Sequence, residues 1–140
     1  MPYGATGNYA AAFGGKAAAM GKRAFAEGST TLAKGGYSHA EGTNTVALGA
    51  NSHSEGTRTF ANGQGAHAEG EDTQAIGRGS HAEGYSSIAK TDYSHAEGYS
   101  TQATGKYAHA EGNATKASGD FSHAEGSKTL ASGAKAHAEG

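Results

Sequence analysis

Small residues alternate with other residues along the chain at a spacing of two. In each stretch of fourteen residues, position 5 is always Ala, position 3 is usually Thr, and positions 10 and 12 are Ser or Ala. A period of two is typical of a β-strand and not of a helix. Each stretch of fourteen therefore predicts two short strands whose small side chains share one side.

Glycine closes every one of these stretches. The closing glycines divide residues 1–140 into ten units with no insertion between them: Gly14, Gly28, Gly42, Gly56, Gly70, Gly84, Gly98, Gly112, Gly126 and Gly140. Fixed spacing over a whole chain indicates a solenoid, in which every unit meets its neighbours in the same way. We expect a single repeat array over 1–140, with residues 1–28 forming two degenerate N-terminal units.

Two strands and two corners make one coil, and identical coils stack only if equivalent strands pair in parallel. Glycine at the end of each strand suits a corner with positive φ or a close backbone approach. With a strand spacing of about 4.8 Å, ten coils predict a rod of about 48 Å. The small side chains then fill a narrow interior, which includes Ala33, Ala47, Ala61, Ala75, Ala89, Ala103, Ala117 and Ala131.

The two strands of a coil differ in their outward residues. Positions 4 and 6 of the first strand vary freely, whereas position 11 is His in eight successive units and position 13 is Glu in nine. A face this constant is expected to meet an equally periodic surface, and a second copy of the chain in closed symmetry provides one. The residues of this predicted trimer-axis ladder are His39, His53, His67, His81, His95, His109, His123, His137, Glu27, Glu41, Glu55, Glu69, Glu83, Glu97, Glu111, Glu125 and Glu139.

The pattern of Ser-x-Ala-x-Gly followed by Thr-x-Ala-x-Gly resembles the head repeats of YadA-type trimeric autotransporter adhesins, whose relatives occur in phage tail fibres. The resemblance implies an all-β, left-handed parallel β-roll solenoid of ten 14-residue coils that exists as a homotrimer. Adhesin heads carry aliphatic residues where this chain has His and Glu, so the resemblance implies a polar trimer centre. Only the first two units, with Phe13 and Phe25, depart towards the apolar version.

The His-x-Glu pair admits two chemical interpretations. A hydrogen-bond ladder between chains is favoured, because buried charges are normally paired. Each His pKa would then rise beside a carboxylate and each Glu pKa would fall. A repeated metal-binding axis is the alternative, since residues i and i+2 share a strand face, but metal sites normally occur once or twice. Zinc-deaminase and metallopeptidase signatures are absent, and the chain has no Cys.

Aromatic residues recur at single positions as well. Tyr93, Tyr107 and Phe121 share position 9, and Tyr85 and Tyr99 share position 1. Coil stacking predicts that each group forms a ladder of rings.

Composition narrows the function. A net charge of −2 gives no reason to expect nucleic acid, and no apolar run approaches about 18 residues, so no membrane contact is expected within this chain. The first residues lack signal-peptide character, so a signal and anchor are expected outside the chain. We expect no enzyme, cofactor or metal. The predicted function is a head or spacer segment of a cell-surface, extracellular or virion fibre, and direct binding of a host surface glycan or protein is the alternative.

Overall fold

A computed structural model describes residues 3–140 as a stack of coils built from two parallel sheets. Each coil contributes one strand to each ten-stranded sheet, and equivalent residues pair in register, as His67 does with His81. The predicted all-β parallel solenoid with a 14-residue repeat is confirmed. The left-handed coil, the homotrimer and the division into units stay predictions, and Met1 and Pro2 of the first unit lie outside the described residues.

The first sheet consists of two-residue strands. They are β1 (Gly4–Ala5), β3 (Ala18–Ala19), β5 (Leu32–Ala33), β7 (Val46–Ala47), β9 (Phe60–Ala61), β11 (Gln74–Ala75), β13 (Ile88–Ala89), β15 (Gln102–Ala103), β17 (Lys116–Ala117) and β19 (Leu130–Ala131).

The second sheet has longer strands, and those from β4 to β16 cross from one coil into the next. They are β2 (Ala11–Phe13), β4 (Phe25–Ser29), β6 (His39–Thr43), β8 (His53–Thr57), β10 (His67–Glu71), β12 (His81–Tyr85), β14 (His95–Tyr99), β16 (His109–Asn113), β18 (His123–Glu125) and β20 (His137–Glu139).

The interior is a thin column of Ala, Ser and Thr side chains. Ala47, Ala75 and Ala103 of the first sheet are fully buried, and Thr is the largest residue type that is completely enclosed. At position 12, Ser54 replaces Ala, and its hydroxyl group lies 2.7 Å from the Thr59 hydroxyl group. Ser54 can therefore replace Ala in the interior because its hydroxyl group has a hydrogen-bond partner there.

The corners use positive φ at residues other than glycine. Within residues 3–140, seventeen such residues at positions 2 and 9 of the coils have φ between 54° and 64°. From Arg23 onward, their N–H groups still donate to the preceding coil, as Tyr37 does to the Lys22 carbonyl oxygen at 2.8 Å. Left-handed backbone costs roughly 1–2 kcal/mol per residue. The fold tolerates this cost because the backbone hydrogen bonds between coils continue through the corner.

Glycine has two different roles in the coil. The closing glycine Gly56 has a φ of +103°, and a Cβ added to it would overlap the carbonyl oxygen of Gly70 in the next coil. Gly49, at position 7, does not need positive φ, but its Cβ would overlap the Gly63 carbonyl oxygen. The prediction of positive φ or close backbone approach at the strand ends is therefore confirmed: the closing glycines have positive φ, and close approach explains the glycines at position 7.

No helix within residues 3–140 is long and apolar enough to cross a membrane.

A large side chain in the interior should destabilise the coil. We expect Ala75→Leu to lower the free energy of unfolding by ~1–3 kcal/mol or more, because an enclosed Ala leaves no room for it. The matched variant Gln74→Leu changes an exposed neighbour on the same strand and should shift stability by less than about 0.5 kcal/mol. Thermal unfolding followed by circular dichroism measures both. Equal melting temperatures would contradict the inward direction of position 5.

A methyl group on a closing glycine should be equally harmful. Gly56→Ala combines unfavourable φ with backbone overlap, and we expect a loss of ~1–3 kcal/mol. Gly36→Ala is the control, because its nearest atom, the Lys22 carbonyl oxygen, is 3.9 Å from the added Cβ and its φ is ordinary. That variant should be neutral or slightly more stable. Denaturant unfolding of the two variants checks the order, and a Gly56→Ala chain as stable as Gly36→Ala would contradict it.

Candidate functional site: a ladder of histidine and glutamate

The outward face of the second sheet carries the residues that the sequence singles out. We call the histidines at position 11 and the glutamates at position 13 the His–Glu ladder. Within one coil, His39 and Glu41 flank the fully buried Ala40, so both side chains leave the strand on its outer side. The His53 and Glu41 side chains are 34% and 33% exposed, so the single chain already covers about two-thirds of each of them.

The imidazole rings form a continuous stack. Successive ring centroids lie 4.7–5.0 Å apart from His39 to His137, with interplanar angles between 3° and 11°. At the N-terminal end, the Phe25 ring meets His39 edge-on at 5.1 Å, and Phe13 contacts Phe25 at 5.8 Å. The two apolar units therefore close one end of the ladder with aromatic rings.

Each histidine faces the carboxylate of the preceding coil. Four Nε2–H groups donate to Oε1 atoms at 2.9–3.2 Å, since a carboxylate only accepts. The other four separations of Nε2 and Oε1 are 3.4–3.9 Å. The hydrogen-bonded pairs are His81 with Glu69, His109 with Glu97, His123 with Glu111, and His137 with Glu125.

These pairs form within one chain. The sequence led us to expect His–Glu pairs between chains, whereas the structure pairs the two columns between successive coils. The rise from one coil to the next is short enough to bring a histidine to the glutamate twelve residues before it, as with His109 and Glu97. Whether the ladder also faces a trimer axis is a separate question and stays a prediction.

Chemically identical glutamates have different proton affinities. Hydrogen bonding with Glu97, followed by burial and hydrogen bonding with Glu69, raises the pKa of Glu83 to about 7. Burial raises the pKa of Glu69, but hydrogen bonds with Glu83 and His81 outweigh it and the pKa lies below its ordinary value. The hydrogen bond with Glu83 likewise lowers the pKa of Glu97. A protonated Glu83 can donate to its neighbours, which relieves repulsion between stacked carboxylates.

The expected direction of the histidine shift is wrong for His95. Burial, followed by the charges of His109 and His81, lowers the pKa of this imidazole. Stacked rings remove water from one another and repel when charged, and for His95 these effects exceed the attraction of Glu97 and Glu111. The expected lowering is found for Glu69 and Glu97, but not for Glu83.

The ladder also brings metal-binding groups together. Triplets of two successive histidines and the glutamate between them place their ligand atoms within 4.8 Å of one another. In the first triplet, the Glu41 carboxylate lies 3.4 Å from His53 Nε2 and 4.0 Å from His39 Nε2. Five such triplets within residues 3–140 are His39–Glu41–His53, His53–Glu55–His67, His67–Glu69–His81, His95–Glu97–His109 and His109–Glu111–His123.

Other surface columns stack as predicted. The ring centroids of Tyr93 and Tyr107 are 5.2 Å apart, those of Tyr107 and Phe121 are 4.9 Å apart, and those of Tyr85 and Tyr99 are 5.2 Å apart. The aromatic ladders are therefore confirmed as stacked rings beside the corners.

Sequence reasoning missed one charged group. Arg58 donates to both Asp72 carboxylate oxygens at 2.6 and 2.7 Å and to Glu71 at 2.7 Å, and its hydrogen bonds lower the pKa of Asp72. Arg58 and Asp72 occupy position 2 in successive coils, so a column-by-column reading of opposite charges would have found this pair.

The fold and the ladder define a parallel β-solenoid with one strictly repeated polar face. The family model for the YadA head domain repeat (2 copies) matches in four overlapping segments, at residues 26–52, 40–66, 54–80 and 68–89. Residues 26–89 therefore match the YadA head repeat, and the structure continues the same coil on both sides of them. This is an adhesin repeat family of trimeric surface proteins and not an enzyme family. None of the curated proteins compared with the chain matches it significantly.

The unequal glutamates predict an opposite pH response in two matched variants. The raised pKa of Glu83 contributes stability below about pH 4.5 that is lost as the pH rises through about 7. Glu83→Gln cannot ionise, so we expect it to melt above the parent protein at about pH 8 and to lose this advantage near pH 4.5.

Glu97→Gln is the control. The lowered pKa of Glu97 contributes stability above about pH 4.5, which is lost as the pH falls through the lowered value. This variant should therefore melt below the parent protein at about pH 8. Thermal melts of the three proteins at several pH values test the assignment, and equal shifts for the two variants would contradict it.

Proposed function

We propose that the chain is a rigid head or spacer segment of a homotrimeric surface or viral fibre, in which it holds or spaces an attachment function. The observation that carries the proposal is the contrast between the two sheets. The second sheet repeats His and Glu in register over eight coils, whereas the outward positions of the first sheet range from Phe60 to Lys116. A constant face is suited to contact with copies of itself, and a variable face to solvent.

The adhesin repeat family supports the same function, because its members assemble as trimers at the cell surface. The geometry supports a spacer in particular. Every coil within the described residues follows the last without an inserted loop, and backbone hydrogen bonds connect each coil to the next. A rod with one continuous hydrogen-bond ladder per sheet resists bending, which is what a fibre segment needs.

We further propose that the His–Glu ladder faces the three-fold axis. Its side chains are about one-third exposed in the single chain, so contact with two partner chains would remove the remaining water from a surface that is already internally paired. Pairing within each chain reduces the cost of that burial, because the charged groups reach the interface with hydrogen-bond partners.

Cysteine cross-linking tests both the trimer and the axis. The chain has no Cys, so a single introduced thiol group reports one position. In oxidising buffer, we expect His81→Cys to give disulfide-linked chains on a denaturing gel, because three ladders meet at the axis. The control Gln74→Cys lies on the exposed face of the other sheet and should stay unlinked.

Light scattering on the unmodified protein gives the mass independently. We expect three times the chain mass of 13.9 kDa. A monomer would contradict the fibre proposal, and a trimer that links through Gln74→Cys instead would place the axis at the first sheet.

A second candidate function is direct recognition of a host glycan or matrix protein on the lateral face. The observation that favours it is a cleft where Gly65 and Gly79 interrupt the aromatic column of position 9. Arg78 borders this cleft, donates to the Tyr93 hydroxyl group and lies 5.3 Å from the centre of the Tyr93 ring. The lining residues are Asn51, Gln64, Gly65, Arg78, Gly79 and Tyr93. Amide, guanidinium and aromatic groups suit a polar ligand such as a sugar.

A further inference from the structure

The His–Glu ladder contains paired imidazoles with an unused ligand atom. The Nε2 atoms of His39, His53, His67 and His95 are buried and have no hydrogen-bond partner within residues 3–140. A buried polar atom without a partner is costly, so each of these nitrogens is available for a ligand at little desolvation cost. Each of these nitrogens lies next to a carboxylate, which provides a negatively charged oxygen as a further ligand.

The spacing of these atoms fits a small divalent ion. Zinc binds nitrogen and oxygen ligands at 2.0–2.2 Å in tetrahedral geometry, which places neighbouring ligand atoms about 3.3 Å apart. Glu41 lies 3.4 Å from His53 Nε2 and 4.0 Å from His39 Nε2, and the whole triplet lies within 4.8 Å. Small side-chain rotations are enough to close the triplet around an ion, because the backbone already holds the three residues in register.

Charge favours an ion at the same place. Nine glutamates lie in one column beside the eight histidines, so the ladder concentrates carboxylate groups along one line. A divalent ion between two coils would offset the charge of the carboxylate column. The same ion would bind the nitrogens that have no hydrogen-bond partner. Two imidazoles and a carboxylate are ligands that zinc and other late first-row metals accept.

We propose that the ladder is a multivalent site for zinc-like divalent ions, each held by two successive histidines and the glutamate between them. Neighbouring triplets share a histidine, as His53 belongs to two of them. Occupation of one triplet therefore blocks the next. Eight histidines taken in pairs hold at most four ions per chain, and three triplets share no residue at all: His39–Glu41–His53, His67–Glu69–His81 and His95–Glu97–His109.

This inference goes beyond the fibre function and does not depend on it. The coils fold through backbone pairing and small interior residues, so the ion is an addition to a formed ladder and not a condition for folding. Along a fibre, alternate occupation would give a row of metal ions two coils apart, about 9.6 Å at the usual strand spacing.

Two variants with the same number of histidines test the arrangement. The alternating variant replaces His53, His81, His109 and His137 with Gln, which leaves no two successive histidines. The block variant replaces His39, His53, His67 and His81 with Gln, which leaves the triplets from His95 to His123 intact. Gln keeps a planar polar group in the stack, and circular dichroism melts check that both variants fold.

Equilibrium dialysis of tag-free protein against zinc chloride near pH 7.5, followed by elemental analysis, counts the bound ions. We expect three to four zinc ions per parent chain, about half as many for the block variant, and less than about a tenth for the alternating variant. Equal binding by the two variants would overturn the proposal, because binding would then follow histidine number and not adjacency. Fewer than one ion per parent chain, or more than four, would overturn it too.

A cobalt titration of the parent protein tests metal binding independently of whether the variants fold. Four-coordinate cobalt absorbs visible light far more strongly than the hydrated ion, and we expect that absorption to reach its plateau at the same three to four ions per chain. A titration without the strong band would show that the triplets do not close around an ion.

Discussion

Parallel, in-register stacking of identical coils is the constraint on which the rest of the structure depends. Each side chain lies directly over its equivalent fourteen residues away, at a separation near the usual strand spacing of about 4.8 Å. A residue must therefore be compatible with a copy of itself. Small interior residues, closing glycines and flat aromatic rings meet this condition because each packs well against its own kind. The left-handed corners meet it because the backbone ladder passes through them unbroken.

The same constraint makes the His–Glu ladder an electrostatic problem. Two carboxylates about 4.8 Å apart repel by roughly 1 kcal/mol in bulk water and by about 3 kcal/mol at an effective dielectric constant of 20. A partly exposed ion pair gives back only ~0–1 kcal/mol. Diagonal pairing with histidine therefore does not fully offset the stacking of like charges. The raised pKa of Glu83 between two neighbours of lowered pKa shows one solution, in which the middle carboxyl group of these three holds its proton more tightly. A bound cation would be another.

The division between a constant and a variable face connects this chemistry to the role of the chain. The adhesin repeat family builds trimeric surface proteins from such coils, and here the polar ladder occupies the positions that are aliphatic in the related heads. In a polar trimer centre, hydrogen bonds and charge pairs of specific geometry replace the non-directional burial of apolar side chains. If the ladder faces the trimer axis as proposed, the stability of the trimer would depend on pH and on ions, whereas an aliphatic centre would respond to neither.

The sequence by itself determined the strand period, the coil length, the buried columns and the identity of the residues that stack. An unbroken repeat of fourteen assigns every residue a neighbour above and below, so the alanine interior at Ala75 and the ring stack from Tyr93 to Phe121 follow without coordinates. Only the tertiary structure decided how the columns interact. It showed that His109 reaches back to Glu97 within its own chain, that residues such as Tyr37 adopt positive φ, and that Glu83 differs from Glu97. Distances between neighbouring columns depend on side-chain rotation and coil rise, which a repeat pattern does not contain.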